Sequence, residues 1–206
     1  TLGNAINAVN NAIPDLVLGK LSGPHDVGVM SRSISTTQML NQVLGPTITY
    51  AVLPYFSRTH HEGQNLSGVL IRACSYLTGL MWPAMVCTAL FAEPLTLFLY
   101  GEAWRECIPV IQIICGMYLL GVPYAFLGTA FMALGKPYLA TIPSVAAIVT
   151  RAACLWLLYS GSIESFAWSL VAASLVMYPA FLIIQRLVFK MPWGAFLGAQ
   201  LHSLWP

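Results

Sequence analysis

Charge is scarce in this chain. Lys, Arg, Asp and Glu make up 8% of its 206 residues, where a water-soluble domain carries about 25%. Hydrophobic residues account for 58% and the mean hydropathy is +0.74. A chain so poor in charge cannot cover its surface with polar groups, so that surface must face lipid. A formal net charge of +2 is too small to point to nucleic acid as a partner. Metal-binding patterns are missing as well. The five cysteines, Cys74, Cys87, Cys107, Cys115 and Cys154, lie within or beside apolar segments, with no CxxC pair or Cys/His cluster. They read as small core residues. His60 and His61 are adjacent in a polar loop, as in a solvated turn. No GxxxxGK[ST], HExxH or GxSxG string occurs, and no carboxylate pair stands beside a base. The chain therefore reads as a non-enzyme without a cofactor. Any transport it performs would draw on an ion gradient or on consumption of the substrate, not on ATP hydrolysis.

What the chain does have is long apolar stretches, with most of its charged residues between them. Six spans of about 20 residues would use most of its length. They are expected at Leu2–Leu18, Ser33–Phe56, Leu66–Ala92, Ile108–Leu134, Tyr138–Tyr159 and Ile163–Ile184. The breaker run Gly19-Lys20-Leu21-Ser22-Gly23-Pro24 ends the first span. Pro83 predicts a kink in the third. Pro94–Tyr100 reads as a short amphipathic piece. Pro109 and Pro123, with Gly116, Gly121 and Gly128, predict a bendable fourth span. Gly135-Lys136-Pro137 predicts a tight turn. Residues 1–190 thus read as an all-α, polytopic membrane lobe of six helices, and 191–206 as an interfacial amphipathic tail holding Trp193, Phe196 and Trp205. No initiator methionine or signal-peptide pattern precedes the first span, so the chain is expected to be part of a longer protein.

Basic residues orient the spans. With both ends of the six-span unit in the cytoplasm, Arg58, Arg72, Lys136, Arg186 and Lys190 fall inside, and Lys20, Arg32 and Arg105 outside.

Polar side chains within the spans are the candidates for function. Gln38, Asn41, Gln42, Gly45 and Thr49 share one stripe of the second span. An amide in hydrocarbon must find a hydrogen-bond partner, so this stripe faces other helices or a wet cavity. Helix–helix glue and a cavity wall offering amides to sugar hydroxyls both fit. Asn4, Asn7, Asn10 and Asn11 form a second polar face on the first span, with Asp15 beyond it. Asparagine both donates and accepts, which suits glycan hydroxyls. Arg151 lies about halfway along the fifth span. A charge at that depth costs about 2.5–3.5 kcal/mol on insertion scales. It is expected either to pair with a carboxylate, or snorkel, or to bind a diphosphate or acidic sugar through its forked guanidinium. The substrate-binding candidates are thus Asn4, Asn7, Asn11, Gln38, Asn41, Gln42, Thr49 and Arg151.

Four strings carry a family resemblance. Gly23-Pro24-His25-Asp26-Val27-Gly28 resembles a Gly-Pro-x-x-x-Gly-x-Tyr stretch, with Met30 at the aromatic position. Val52-Leu53-Pro54-Tyr55-Phe56-Ser57-Arg58 resembles a Pro-x-x-Ser end to a polar helix. Phe98-Leu99-Tyr100-Gly101-Glu102-Ala103-Trp104 is similar to a Phe/Tyr-Gly-x-x-Trp segment, and Ala133-Leu134-Gly135-Lys136-Pro137 to an Ala-x-Gly-Lys turn. Together, and in this order, they resemble the C-terminal half of polysaccharide transporters, the O-antigen and exopolysaccharide flippases of the multidrug/oligosaccharidyl-lipid/polysaccharide exporter superfamily. The resemblance implies one lobe of a two-lobed transporter whose N-terminal lobe lies outside this chain. It implies a multi-pass protein of the bacterial inner membrane that moves undecaprenyl-diphosphate-linked oligosaccharide between leaflets. The partners it implies are that lipid-linked substrate, membrane lipid, the N-terminal lobe, and a polysaccharide polymerase and ligase. A drug/cation antiporter of the same superfamily or a lipid II flippase would share the fold. An integral-membrane glycosyl or acyl transferase would need an acidic or His/Asp cluster at the interface, for which Glu102 and Glu106 are the candidates.

Overall fold

The computed structural model describes residues 16–62, 66–189 and 193–202. Every regular element among them is helical. Residues 16–21 are helical, and the chain then turns at Gly23, whose φ of 94° lies in the left-handed region. Pro24 opens α1, Pro24–His61. Proline suits a helix start because its missing N–H would be unpaired there anyway, and Asp26 in the first turn favours the positive end of the helix dipole. These two residues explain why the helix begins well before the expected Ser33. At 38 residues, α1 is about 57 Å long at 1.5 Å per residue, nearly twice the thickness of a bilayer core.

The remaining helices follow the expected order. They are α2, Leu66–Leu90 with Pro83 inside it; α3, Ala92–Tyr100; α4, Cys107–Gly121; α5, Leu127–Ala133; α6, Thr141–Leu158; α7, Ile163–Phe189; and α8, Trp193–His202. Short 3-10 turns cover Glu102–Trp104, Val122–Tyr124 and Pro137–Ala140. The expected bend in the fourth span is the turn at Val122–Tyr124, which holds Pro123 and divides α4 from α5. The expected turn after Ala133 is a Schellman motif: Lys136 N–H donates to Phe131 O and Gly135 N–H to Met132 O, both at 3.0 Å. Gly135 adopts the left-handed φ of 67° that this motif requires.

Among the described residues, four stretches are long and apolar enough to cross a membrane: Leu66–Leu90, Cys107–Ala133, Thr141–Leu158 and Ile163–Phe189. The chain is a multi-pass membrane protein. Six spans were expected, so the count differs at two places. The Leu2–Leu18 span falls almost wholly outside the described residues. The Ser33–Phe56 segment is part of α1, which is long enough but stays out of the apolar set. Ser31, Ser33, Ser35, Thr36, Thr37, Gln38, Asn41 and Gln42 crowd its first half and lower its hydropathy.

Two buried clusters hold the bundle together. Near the 62–66 and 134–140 connections, Phe56, Leu70, Phe131, Phe189 and Phe196 pack with Tyr124 and Leu127. Near the 22–24, 91–106 and 159–162 connections, Leu18, Met30, Ile111, Ile114 and Phe166 pack with Ala92 and Leu170. Small polar residues join the α1–α4 seam beside the second cluster, as they often do between helices in lipid. Ser33 Oγ donates to Val29 O at 2.8 Å and to Cys107 O at 3.4 Å. Large apolar side chains instead cover the outside, including Phe98, Ile142, Val149, Trp156, Leu175 and Leu187. Trp156 is 85% exposed, as suits a surface that faces lipid.

Candidate functional site

A cavity of about 420 Å³ opens between α4, α5, α6 and α7. Helix periodicity explains how α6 builds one wall. Pro143, Ser144, Ala147 and Arg151 recur at helical spacing and line the cavity. Ile142, Val145, Val149 and Trp156 lie on the outer face and are exposed. One helix thus separates lipid from cavity. The facing walls are Tyr118 and Gly121 of α4, Gly128 and Phe131 of α5, and Ser174, Met177, Tyr178 and Phe181 of α7.

The cavity is graded along its length. Tyr118 lies near the middle of the Cys107–Ala133 stretch, and Arg151 and Ala173 lie near the middle of α6 and α7. Phe131, Ala140 and Phe181 lie toward the end where α5 meets Pro137–Ala140. That end also carries Arg58, Lys136 and Arg186. Aromatic rings dominate here: Tyr124 packs edge-on to Tyr178 at 5.1 Å and stacks on Phe181 at 5.0 Å. The polar groups are few. Ser144 Oγ donates to Ala140 O at 2.9 Å and Ser174 Oγ to Leu170 O at 3.0 Å. Arg151 is the cavity's cation, and no Asp or Glu is among its lining residues. The charge there is therefore positive, which suits an anion.

The expected site residues divide three ways. Gln38 and Arg151 are brought together through Tyr118. The Gln38 amide Nε2 donates to the Tyr118 hydroxyl, and Tyr118 lines the cavity with Arg151. Gln42 is exposed on α1 and is not part of the cavity lining. Asn4, Asn7 and Asn11, and the side chains of Asn41 and Thr49, lie outside the described residues. Tyr118 itself was missed, because an aromatic in an apolar span reads as core. The pattern that could have found it is a polar-tipped aromatic at the same depth as two polar candidates on other helices.

The opposite end of the bundle carries an ionic cluster. Arg105 pairs with Glu102 and, at 3.4 Å, with Glu93. The Arg105 guanidinium hydrogen-bonds the Glu102 carboxyl and holds it below the usual carboxylate range. Glu106 lies 3.8 Å from His25. Arg32 sits over the rings of Tyr100 and Trp104, at 5.1 and 5.3 Å from their centres. Glu102 and Glu106 are thus engaged with neighbouring basic groups and stand apart from the cavity. Among the described residues, no group of His, Cys, Asp and Glu is arranged to hold a metal ion.

Residues 1–109 match the family model described as "Polysaccharide biosynthesis protein". The chain belongs to that family. Membership bears out the resemblance to polysaccharide transporters carried by the Gly23–Gly28, Val52–Arg58 and Phe98–Trp104 strings. The matched part runs through α3 into the first turn of α4, and every residue lining the cavity follows it. The lipopolysaccharide biosynthesis protein WzxC of Escherichia coli K12 is 24% identical over 120 residues, covering 58% of this chain and 24% of that protein. A Klebsiella pneumoniae protein described as an uncharacterized membrane protein in the cps region is 22% identical over 115 residues, covering 56% of this chain and 24% of its own. The chain's match spans about a quarter of the length of these relatives. No solved structure matches the chain.

Proposed function

We propose that this chain is one lobe of a flippase that moves undecaprenyl-diphosphate-linked oligosaccharide across the bacterial inner membrane for export as exopolysaccharide, O-antigen or capsule. The observation that carries the reading is the charge of the cavity: one mid-helix arginine among aromatic and small side chains, with no carboxylate in the lining. A lipid-linked glycan brings an anionic diphosphate, for which a forked guanidinium is the fitting partner. A cation antiporter would want a carboxylate in that place, and the cavity has none.

The direction of travel follows from charge. The aromatic end of the cavity lies on the side of Arg58, Lys136 and Arg186. Such basic connections are the ones retained in the cytoplasm. Substrate would thus enter from the inner leaflet, with Arg151 at mid-depth receiving its charged group. Six spans, including one at Leu2–Leu18 and one within α1, complete the lobe in this reading. An N-terminal lobe supplies the opposite wall of the glycan path, and the two lobes rock to open it inward and then outward. The amides of Asn4, Asn7, Asn11, Gln38, Asn41 and Gln42, with the Thr49 hydroxyl, line this side of the path and meet sugar hydroxyls. No bond is made or broken, so no catalytic residue is required. A polymerase and a ligase would take the glycan on the far side.

Deleting the whole native gene tests the reading. The lipids of the deletion strain should contain accumulated polyprenyl-diphosphate glycan, and its surface should lose polysaccharide. Intact surface glycan combined with new sensitivity to cationic dyes would instead assign the protein to drug export.

A further inference from the structure

We infer that Tyr118 is a second anion donor beside Arg151 at mid-depth in the cavity, and that Gln38 sets the direction of its hydroxyl. The inference rests on the proposed reading of the cavity as a site for a phosphorylated group. It starts from the polarity of one hydrogen bond. Gln38 Nε2 on α1 donates to the phenolic oxygen of Tyr118 on α4. A phenol carries one O–H proton and can accept on oxygen at the same time. With the amide occupying the acceptor side, the Tyr118 proton is left to donate elsewhere.

Two groups make the cavity the place where that proton is used. Tyr118 lines it together with Arg151. Both are donors: a guanidinium has no acceptor, so Tyr118 cannot donate to it. An oxyanion placed between them would accept from both at once, with charge-assisted bonds stronger than neutral ones. The Ser144 and Ser174 hydroxyls already donate to backbone carbonyls and so do not compete for that role. The site assigned here thus consists of Arg151 and Tyr118 as binding groups and Gln38 as a positioning residue. The fitting chemistry is a phosphate-type oxyanion, either the diphosphate of a lipid-linked substrate or the phosphate of an anionic bilayer lipid.

Binding of inorganic diphosphate to the protein made from its whole native gene, purified in neutral detergent, tests this. Wild-type protein should bind it. Tyr118→Phe keeps the ring and should weaken binding by about tenfold or more, as loss of a bond to a charged group does. Arg151→Lys should do the same. Gln38→Met keeps the length of the side chain without its donor, and should weaken binding in the wild-type background but not in Tyr118→Phe. That loss of effect separates positioning from a structural role, which would weaken binding equally in both backgrounds. Each variant is checked by gel filtration, and Tyr76→Phe, an exposed ring outside the cavity, serves as a folded control that should bind normally. Competition by phosphatidylglycerol would name a bilayer lipid as the source of the oxyanion, and its absence would name the substrate diphosphate; either keeps the site. No diphosphate binding by wild type, or unchanged binding in folded Tyr118→Phe, overturns the inference. Restored surface polysaccharide in a deletion strain carrying such a Tyr118→Phe protein would leave the flippase reading standing while the inference failed.

Discussion

Arg151 shows how much one residue can say in an apolar chain. Its insertion cost of about 2.5–3.5 kcal/mol at mid-helix demands compensation, and the structure supplies a cavity shared with Tyr118. Tyr118 was not legible, because its partner Gln38 stands 80 positions away in the chain and only the packing of α1 on α4 joins them. Glycines divide just as sharply at this scale. Gly135 holds φ at 67° with open space around the position of a Cβ. Gly135→Ala should therefore lose about 1–2 kcal/mol from backbone strain alone. Gly116 lies inside α4, also in open space. Gly116→Ala should gain up to about 1 kcal/mol of helix propensity. Thermal unfolding in detergent should move the two variants in opposite directions; a shift of the same sign in both would contradict this account of the turn.

Helices were legible where proline and glycine punctuate apolar runs. Pro123 announced the break between α4 and α5, and the Gly19–Pro24 run announced the end of the helix before α1. The true start of α1 was hidden because Pro24, His25 and Asp26 look like loop residues, although proline and an acid are also what a first turn favours. The two faces of α6 were hidden too. Its apolar residues run all the way round, and only contact with α7 decides which face is inside. This division can be read chemically. Single cysteines at Ser144 and Ala147 should react with a water-soluble thiol reagent, in a background where the native cysteines are replaced. Cysteines at Ile142, Val145 and Val149 should resist it and take up a lipid-soluble one. Equal reaction with the water-soluble reagent on both faces would mean that α6 does not separate cavity from lipid.

At the scale of the molecule, the low charge content fixed the class before any element was placed, and four apolar crossings agree with it. The polar face of α1 is the part composition alone could not assign. A 38-residue helix with polar residues crowded into its first half is poorly suited to lipid on every side; in the proposed reading, a second lobe across a wet path would cover the face on which Gln42 is exposed. Family membership fits that arrangement, while the cavity adds a cationic site on helices beyond the matched residues. The central claim is transbilayer movement of a lipid-linked glycan. It is tested most directly by reconstituting the protein made from the whole native gene into sealed vesicles that carry a labelled polyprenyl-diphosphate oligosaccharide, and timing how fast the inner-leaflet label becomes open to an external glycosidase. The account predicts complete digestion with wild-type protein and a rate at least about tenfold lower with Arg151→Lys. Digestion that stops at the outer-leaflet half, as in vesicles without protein, would contradict it.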